Sequence, residues 1–245
     1  MQDILSDIPG YIEDMLTLQN LKSSDQGISF DRLAKSLRYR ATVSIEQLCA
    51  LRWQWEDEYP DACYEVVARR GSTLCIDDDT GEPLYPTILS FRSVARALEI
   101  TTFNTMFLIL YRVLSVAEAD EVSVRTDREA VPPYPNTGTR SSAYGPIRPL
   151  SYTNPLILPG QWNSHIDLVH EIFRTIDYCL NGKHESLGAC SLMFPLGVVY
   201  ARLLHDPKIR RLIERTCRHI AESRGFEIGT YVLNQVDVKK GSLLA

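Results

Sequence analysis

The chain has 245 residues, 44% of them apolar and 23% charged, and a formal net charge of −5. That length can bury a sizeable core, and the composition is that of an ordinary globular protein rather than a fibrous or low-complexity one. The acidic balance, with Lys and Arg scattered along the chain, lacks the clustered positive charge on which phosphate-backbone binding depends, so no direct nucleic-acid contact is expected. No continuous apolar run approaches the 18 residues of a membrane helix, and no membrane contact is expected either. The six cysteines (49, 63, 75, 179, 190, 217) are widely spaced, with no C-x-x-C pair and no signal peptide at the N-terminus. That pattern predicts free thiols in a reducing, intracellular compartment: cytoplasmic, or nuclear if the protein is regulatory.

An amphipathic helix opens the chain, with Ile4, Leu5, Ile8, Tyr11, Ile12, Met15 and Leu16 along one face. Its start so close to Met1 predicts that no DNA-binding module precedes it. After a polar break at 22–27, the helical pattern resumes through Phe30, Leu33 and Leu37. Ser44 with Gln47 then reads as a capping box opening a further helix, which carries Leu48, Leu51, Arg52 and Trp55 on one side and Trp53 on another. Residues 60–87 are less helical: Val66-Val67 and 73–76 read as short strands or apolar pieces of loop, and 77–81 as turn chemistry. The longest helical pattern spans 88–118, from Phe91 to Leu114 and Ala117, with Thr101, Thr102, Asn104 and Thr105 interrupting it. Residues 124–160 hold seven of the thirteen prolines and read as a long Pro-rich loop or lid.

Three helices follow between 165 and 226. The first has an apolar face of Leu168, Val169, Ile172, Phe173, Ile176 and Leu180, and Asn181-Gly182 closes it. The second, 187–204, is apolar almost all round, so it is expected to be buried and to kink at Pro195. Asp206-Pro207 reads as an N-cap with proline at the first helical position. The third helix turns Ile209, Leu212, Ile213, Cys217, Ile220 and Ala221 inward and leaves Arg210, Arg211, Glu214, Arg218 and Glu222 on a solvated face. The expected fold is all-α: a single-domain irregular helical bundle over residues 1–245, with the loop at 124–160.

The run Arg174-Thr-Ile-Asp-Tyr-Cys-Leu, then His184-Glu-Ser-Leu-Gly-Ala, then Leu192-Met-Phe-Pro-Leu-Gly-Val-Val-Tyr, closing on Arg224-Gly-Phe-Glu-Ile-Gly, resembles the C-terminal helical regulatory region of fungal zinc-cluster transcription factors. Residues 4–18 and 91–114 are similar to that region in pattern and order. The resemblance implies a helical regulatory domain that senses metabolites. The family's DNA-binding module, six cysteines at short spacing, has no counterpart here.

Catalytic machinery is hard to find in the sequence. His170-Glu171 is one histidine short of H-E-x-x-H, and His165 and His170 diverge on a helix, so no metal site is expected. Residues 78–82 match the letters of the D-D-x-x-E motif of terpene cyclases, but that motif works on a helix wall and Gly81 and Pro83 predict an exposed turn. No G-x-S-x-G, dinucleotide fingerprint or P-loop is present, and no cofactor is expected. A pocket remains. Isolated polar and aromatic groups on buried helices can line a site for a mostly apolar molecule of terpenoid or polyketide class. The candidates are Trp53, Trp55, Asn104, Thr105, Tyr111, His170, Tyr178, Met193 and Tyr200, each of which has an ordinary core role as its alternative. His184 and Glu185 sit where a helix start needs a cap. Two functions fit: a metabolite-binding regulator acting through a protein partner, or a cofactor-independent cyclase or pericyclase, of Diels–Alder type, in fungal specialised metabolism.

Overall fold

The computed structural model describes residues 1–23, 27–71, 73–118, 154–181, 185–203 and 206–224. These residues form six helices and one two-stranded sheet: α1 (Gln2–Ser23), α2 (Gly27–Glu58), β1 (Cys63–Val67), β2 (Thr87–Phe91), α3 (Val94–Glu118), α4 (His165–Leu180), α5 (Glu185–Arg202) and α6 (Pro207–Arg224). The helical class is the expected one. They fall into two compact units, interleaved along the sequence. The first comprises 1–60, 106–118 and 157–168; the second comprises 61–105, 154–156 and 169–224. Most of the loop expected at 124–160, together with His184 and the chain beyond 224, lies outside the described residues.

In the first unit α1 packs on α2. The two-helix reading of 27–58 is corrected, since α2 runs unbroken past Ser44. The physical reason is the apolar spacing: Phe30, Ala34, Leu37, Ala41, Ile45 and Leu48 recur at steps of three and four without a phase break, and all are buried. Ser44 is buried mid-helix and its hydroxyl meets that of Tyr11 on α1 at 2.8 Å. It joins two helices instead of starting one.

In the second unit the helix expected from residue 88 begins only at Val94. The preceding apolar residues are strand β2, antiparallel to β1 with Cys63 opposite Phe91 and Val67 opposite Thr87. Alternation explains the difference. Leu89 and Phe91 are buried on one face of β2, a period of two that overlaps by chance with the helical spacing that follows. Of the two candidate strand segments, Val66-Val67 lies within β1, whereas 73–76 contributes only an isolated bridge between Ile76 and Pro83. Asp77–Glu82 is the turn between them. The Asp77 carboxylate accepts from the backbone N–H groups of Asp79 and Thr80, and Gly81 takes φ +69°, a conformation that suits glycine. Residues 78–82 therefore lack the helix that a terpene-cyclase motif needs.

Helix α3 is long and apolar enough to cross a membrane by length and composition alone, and most of that stretch is buried inside the protein, as in a core helix. Helix α5 continues through Pro195 and packs on α6. Its expected all-round burial is corrected: Leu187 and Phe194 are 51% and 45% exposed, so one stripe faces outward. Asp206 caps α6, its carboxylate accepting from Lys208 N (2.8 Å) and Ile209 N (3.2 Å). Leu212, Ile213, Cys217 and Ile220 face inward as expected.

The first turn of α5 closes on the last turn of α4 at Gly188, where a Cβ would lie 2.1 Å from the Cys179 carbonyl oxygen. Only glycine lets the two backbones meet at that distance. Gly188→Ala should push α5 off α4 and destabilise the protein by about 1–3 kcal/mol, lowering the urea unfolding midpoint. An unchanged midpoint would show that the helices do not close on each other there.

Candidate functional site

Helix α4 organises the second unit, because its polar side chains go to different elements. His170, Arg174 and Tyr178, one turn apart, form a half-buried line beside β2. The Tyr85 hydroxyl lies 2.8 Å from His170 Nδ1, with the rings edge-on at 5.5 Å. Burial, and secondarily the Cys75 thiol, push the Tyr85 phenol up against the opposing pull of Arg174. Tyr85 therefore keeps its proton at neutral pH, and either the phenol or the ring nitrogen donates in this pair, according to the His170 tautomer. Arg174 Nε donates to the Thr87 carbonyl at 3.2 Å and its Nη2 to Thr87 Oγ1 at 2.9 Å, and the same nitrogen pairs with Glu65. Tyr178 packs on Phe91 with ring centroids 5.4 Å apart.

A second face of α4 points into the core. Glu171, 2% exposed, accepts a hydrogen bond from Asn104 Nδ2 at 2.9 Å. The buried amide of Asn104 thus has a carboxylate partner. Its neighbours spend their hydroxyls within α3, Thr101 on the Ala97 and Leu98 carbonyls and Thr105 on the Thr101 carbonyl.

A third face holds the irregular segment 73–75. The Asp177 carboxylate accepts from Thr73 Oγ1 (2.5 Å) and from Leu74 N (2.8 Å). Thr73 Oγ1 in turn accepts from Cys75 N, and the Cys75 thiol donates to the Phe173 carbonyl. Burial raises the Asp177 pKa, opposed by those two hydrogen bonds and by His219. The same desolvation pushes Cys179 up to about 12 and Cys217 up to about 11, so neither is a thiolate at neutral pH. Beyond this clasp the acidic turn reaches α6. Lys208 Nζ lies 2.9 Å from Asp77, Arg215 Nη1 2.8 Å from Asp78, and Arg215 Nη2 donates to the Ile76 carbonyl. Part of the α6 basic stripe is therefore occupied rather than merely solvated. Met193 and Tyr200 are buried on α5, the Tyr200 hydroxyl 3.4 Å from Glu214.

Trp53, Trp55 and Tyr111 belong to the first unit. Trp55 is buried and edge-on to Tyr59, and Trp53 is half-buried. Arg52 lies over the Trp55 ring, its guanidinium carbon 4.9 Å from the centroid. Arg52 Nη1 pairs with Glu56 at 2.8 Å, and both side chains are 2% exposed. Tyr111 stacks on Phe107 at 6.2 Å, and Trp162 meets the other side of that cluster edge-on, 4.7 Å from Phe107. Burial first, and then the Cys49 thiol on α2, raise the Tyr111 phenol. Among the nitrogens of this unit that are buried without an acceptor among the described residues are Arg52 Nη2 and Trp162 Nε1.

The sequence candidates thus divide between the two units: His170 and Tyr178 share one line on α4, Asn104 has Glu171, and Trp53, Trp55 and Tyr111 sit in the first unit. Arg52, Glu56, Tyr85, Trp162, Glu171, Arg174 and Asp177 were not among them. The i, i+4 spacing of Arg52 and Glu56 was a readable signal, as was Asp177 on the apolar face between Phe173 and Leu180. Trp162 precedes α4 in an irregular stretch where no periodicity marks it. Among the described residues no group of three or more His, Cys, Asp or Glu side chains is placed to hold a metal ion. Comparison with protein-family models, curated proteins and solved structures finds no match to this chain.

Because the folded pKa of Asp177 lies above its unfolded value, the associated stability is full below the ordinary aspartate range and is lost as pH rises through the raised value. Asp177→Asn cannot ionise and lacks this dependence. Urea titrations from neutral pH downward should show the parent gaining stability relative to the variant. A difference that stays flat, or shrinks on acidification, would mean that the clasp instead favours the ionised carboxylate.

Proposed function

We propose that this protein is a helical regulatory domain that binds a mostly apolar small molecule, of terpenoid or polyketide class, and passes the signal to a protein partner without touching DNA itself. The observation that carries this reading is the buried indole N–H of Trp162, which has no acceptor among the described residues and stands at the end of the aromatic run Tyr111–Phe107–Trp162. Aromatic faces suit an apolar ligand, and an unpaired buried donor suits one oxygen on it. The helical class and the resemblance to fungal transcription-factor regulatory regions support the same reading.

The Tyr85–His170 pair favours a second reading, a cofactor-independent cyclase or pericyclase. With His170 Nδ1–H donating to the phenol oxygen, the Tyr85 O–H is left to polarise a substrate carbonyl. One thermal-unfolding series separates the two. Under the regulatory reading a terpenoid or polyketide panel contains members that raise the melting temperature, by an increment that grows with concentration, and that are recovered unchanged. Cofactor-free turnover of a stabilising compound would transfer the assignment to the enzyme. No stabilisation by any member at millimolar concentration would remove both.

A further inference from the structure

Arg52 has one end of its guanidinium satisfied and the other not. Nη1 pairs with Glu56, whereas Nη2 is buried and has no hydrogen-bond partner among the described residues. A charged donor buried and unpaired is costly, so an acceptor arriving there is favoured. The first unit also carries aromatic groups and a second buried donor. Arg52 lies over Trp55, and Cys49, one turn back on α2, is the thiol that Tyr111 senses. Tyr111 stacks on Phe107, against which Trp162 packs with its own unpaired N–H.

Electrostatics selects the kind of acceptor. Glu56 already balances the Arg52 charge, so the buried pair is neutral as a unit. A carboxylate ligand would bring an uncompensated negative charge into this interior and would lose its hydration, which a second hydrogen bond to Arg52 does not repay. A ketone, lactone or amide oxygen accepts the same bond without adding charge. We propose that Arg52 Nη2 is the recognition group for a neutral carbonyl oxygen on an apolar ligand. Arg52 is then a specificity determinant, and this inference rests on the small-molecule reading above.

The test compares three probes of one skeleton: geranylacetone, the matching carboxylate geranylacetic acid, and the hydrocarbon lacking the oxygen. Binding is measured by calorimetry and thermal shift on the whole chain. The ketone should bind about tenfold more tightly than either of the others, the worth of one well-placed hydrogen bond. Arg52→Met alone removes the cation paired with buried Glu56 and is expected to destabilise the protein. The double variant Arg52→Met, Glu56→Leu replaces the buried pair by apolar groups, a change that proteins commonly tolerate. It should keep hydrocarbon binding and lose the ketone preference. A carboxylate that binds as well as the ketone overturns the inference, as does a ketone preference that survives in the double variant or is missing from the parent. If none of the three binds, the small-molecule reading falls as well, whereas equal binding of all three leaves that reading standing and removes only the role of Arg52.

Discussion

Burying a guanidinium inside helix α2 is the constraint that shapes the first unit. Arg52 is almost wholly removed from water, and a charge in that position is tolerable only with a partner of opposite sign and with its remaining donors satisfied. Glu56, one turn on, supplies the first condition, and the Trp55 face supplies further stabilisation over the cation. The second condition is met only in part by the described residues. The same unit leaves the Trp162 indole N–H unpaired beside an aromatic cluster. Both donors lack an acceptor among the described residues, and the proposed ligand would supply one.

The second unit solves a different problem. Residues 60–87 contain two prolines after the first strand and a turn of three consecutive aspartates, and so cannot hold themselves together by helical hydrogen bonds. Helix α4 provides what they lack. Asp177 takes the Thr73 hydroxyl and the Leu74 amide, the Phe173 carbonyl takes the Cys75 thiol, and Arg174 takes the Thr87 carbonyl. Helix α6 adds cations for Asp77 and Asp78. An irregular arm is thus fastened by side chains from regular elements, which leaves Tyr85 poised against His170.

The legible parts of this fold were those with long, uninterrupted periodicity. The apolar faces of α4 and α6 could be read directly, as could the Asp206-Pro207 start of α6; on α1 only Ile4, Ile8 and Tyr11 of the expected face are buried, while Leu5, Ile12 and Leu16 are exposed because that face is wider than the one α2 covers. The errors came where two periodicities adjoin or where a local signal competed with a long-range one. Leu89 and Phe91 fit a helix only when joined to the pattern that begins at Val94. Ser44 and Gln47 form a capping box in letters, but Tyr11 from another helix claims the serine hydroxyl. The outward stripe of α5 was hidden because apolarity alone does not say which face a neighbour covers. Residues of the candidate site were partly visible: His170, Tyr178, Trp55 and Tyr111 are where aromatic and polar groups collect. Tyr85 and Trp162 are brought to them by tertiary structure, and spacing along a single helix cannot find either.

The claim at the centre of this account is that Arg52 Nη2 receives its acceptor from outside the chain. A crystal structure of the protein grown with geranylacetone tests it most directly. The account predicts the ketone oxygen about 2.9 Å from Nη2, with the hydrocarbon tail against the aromatic run. A protein oxygen bonded to Nη2 in its place, with the ketone elsewhere or absent, would contradict it.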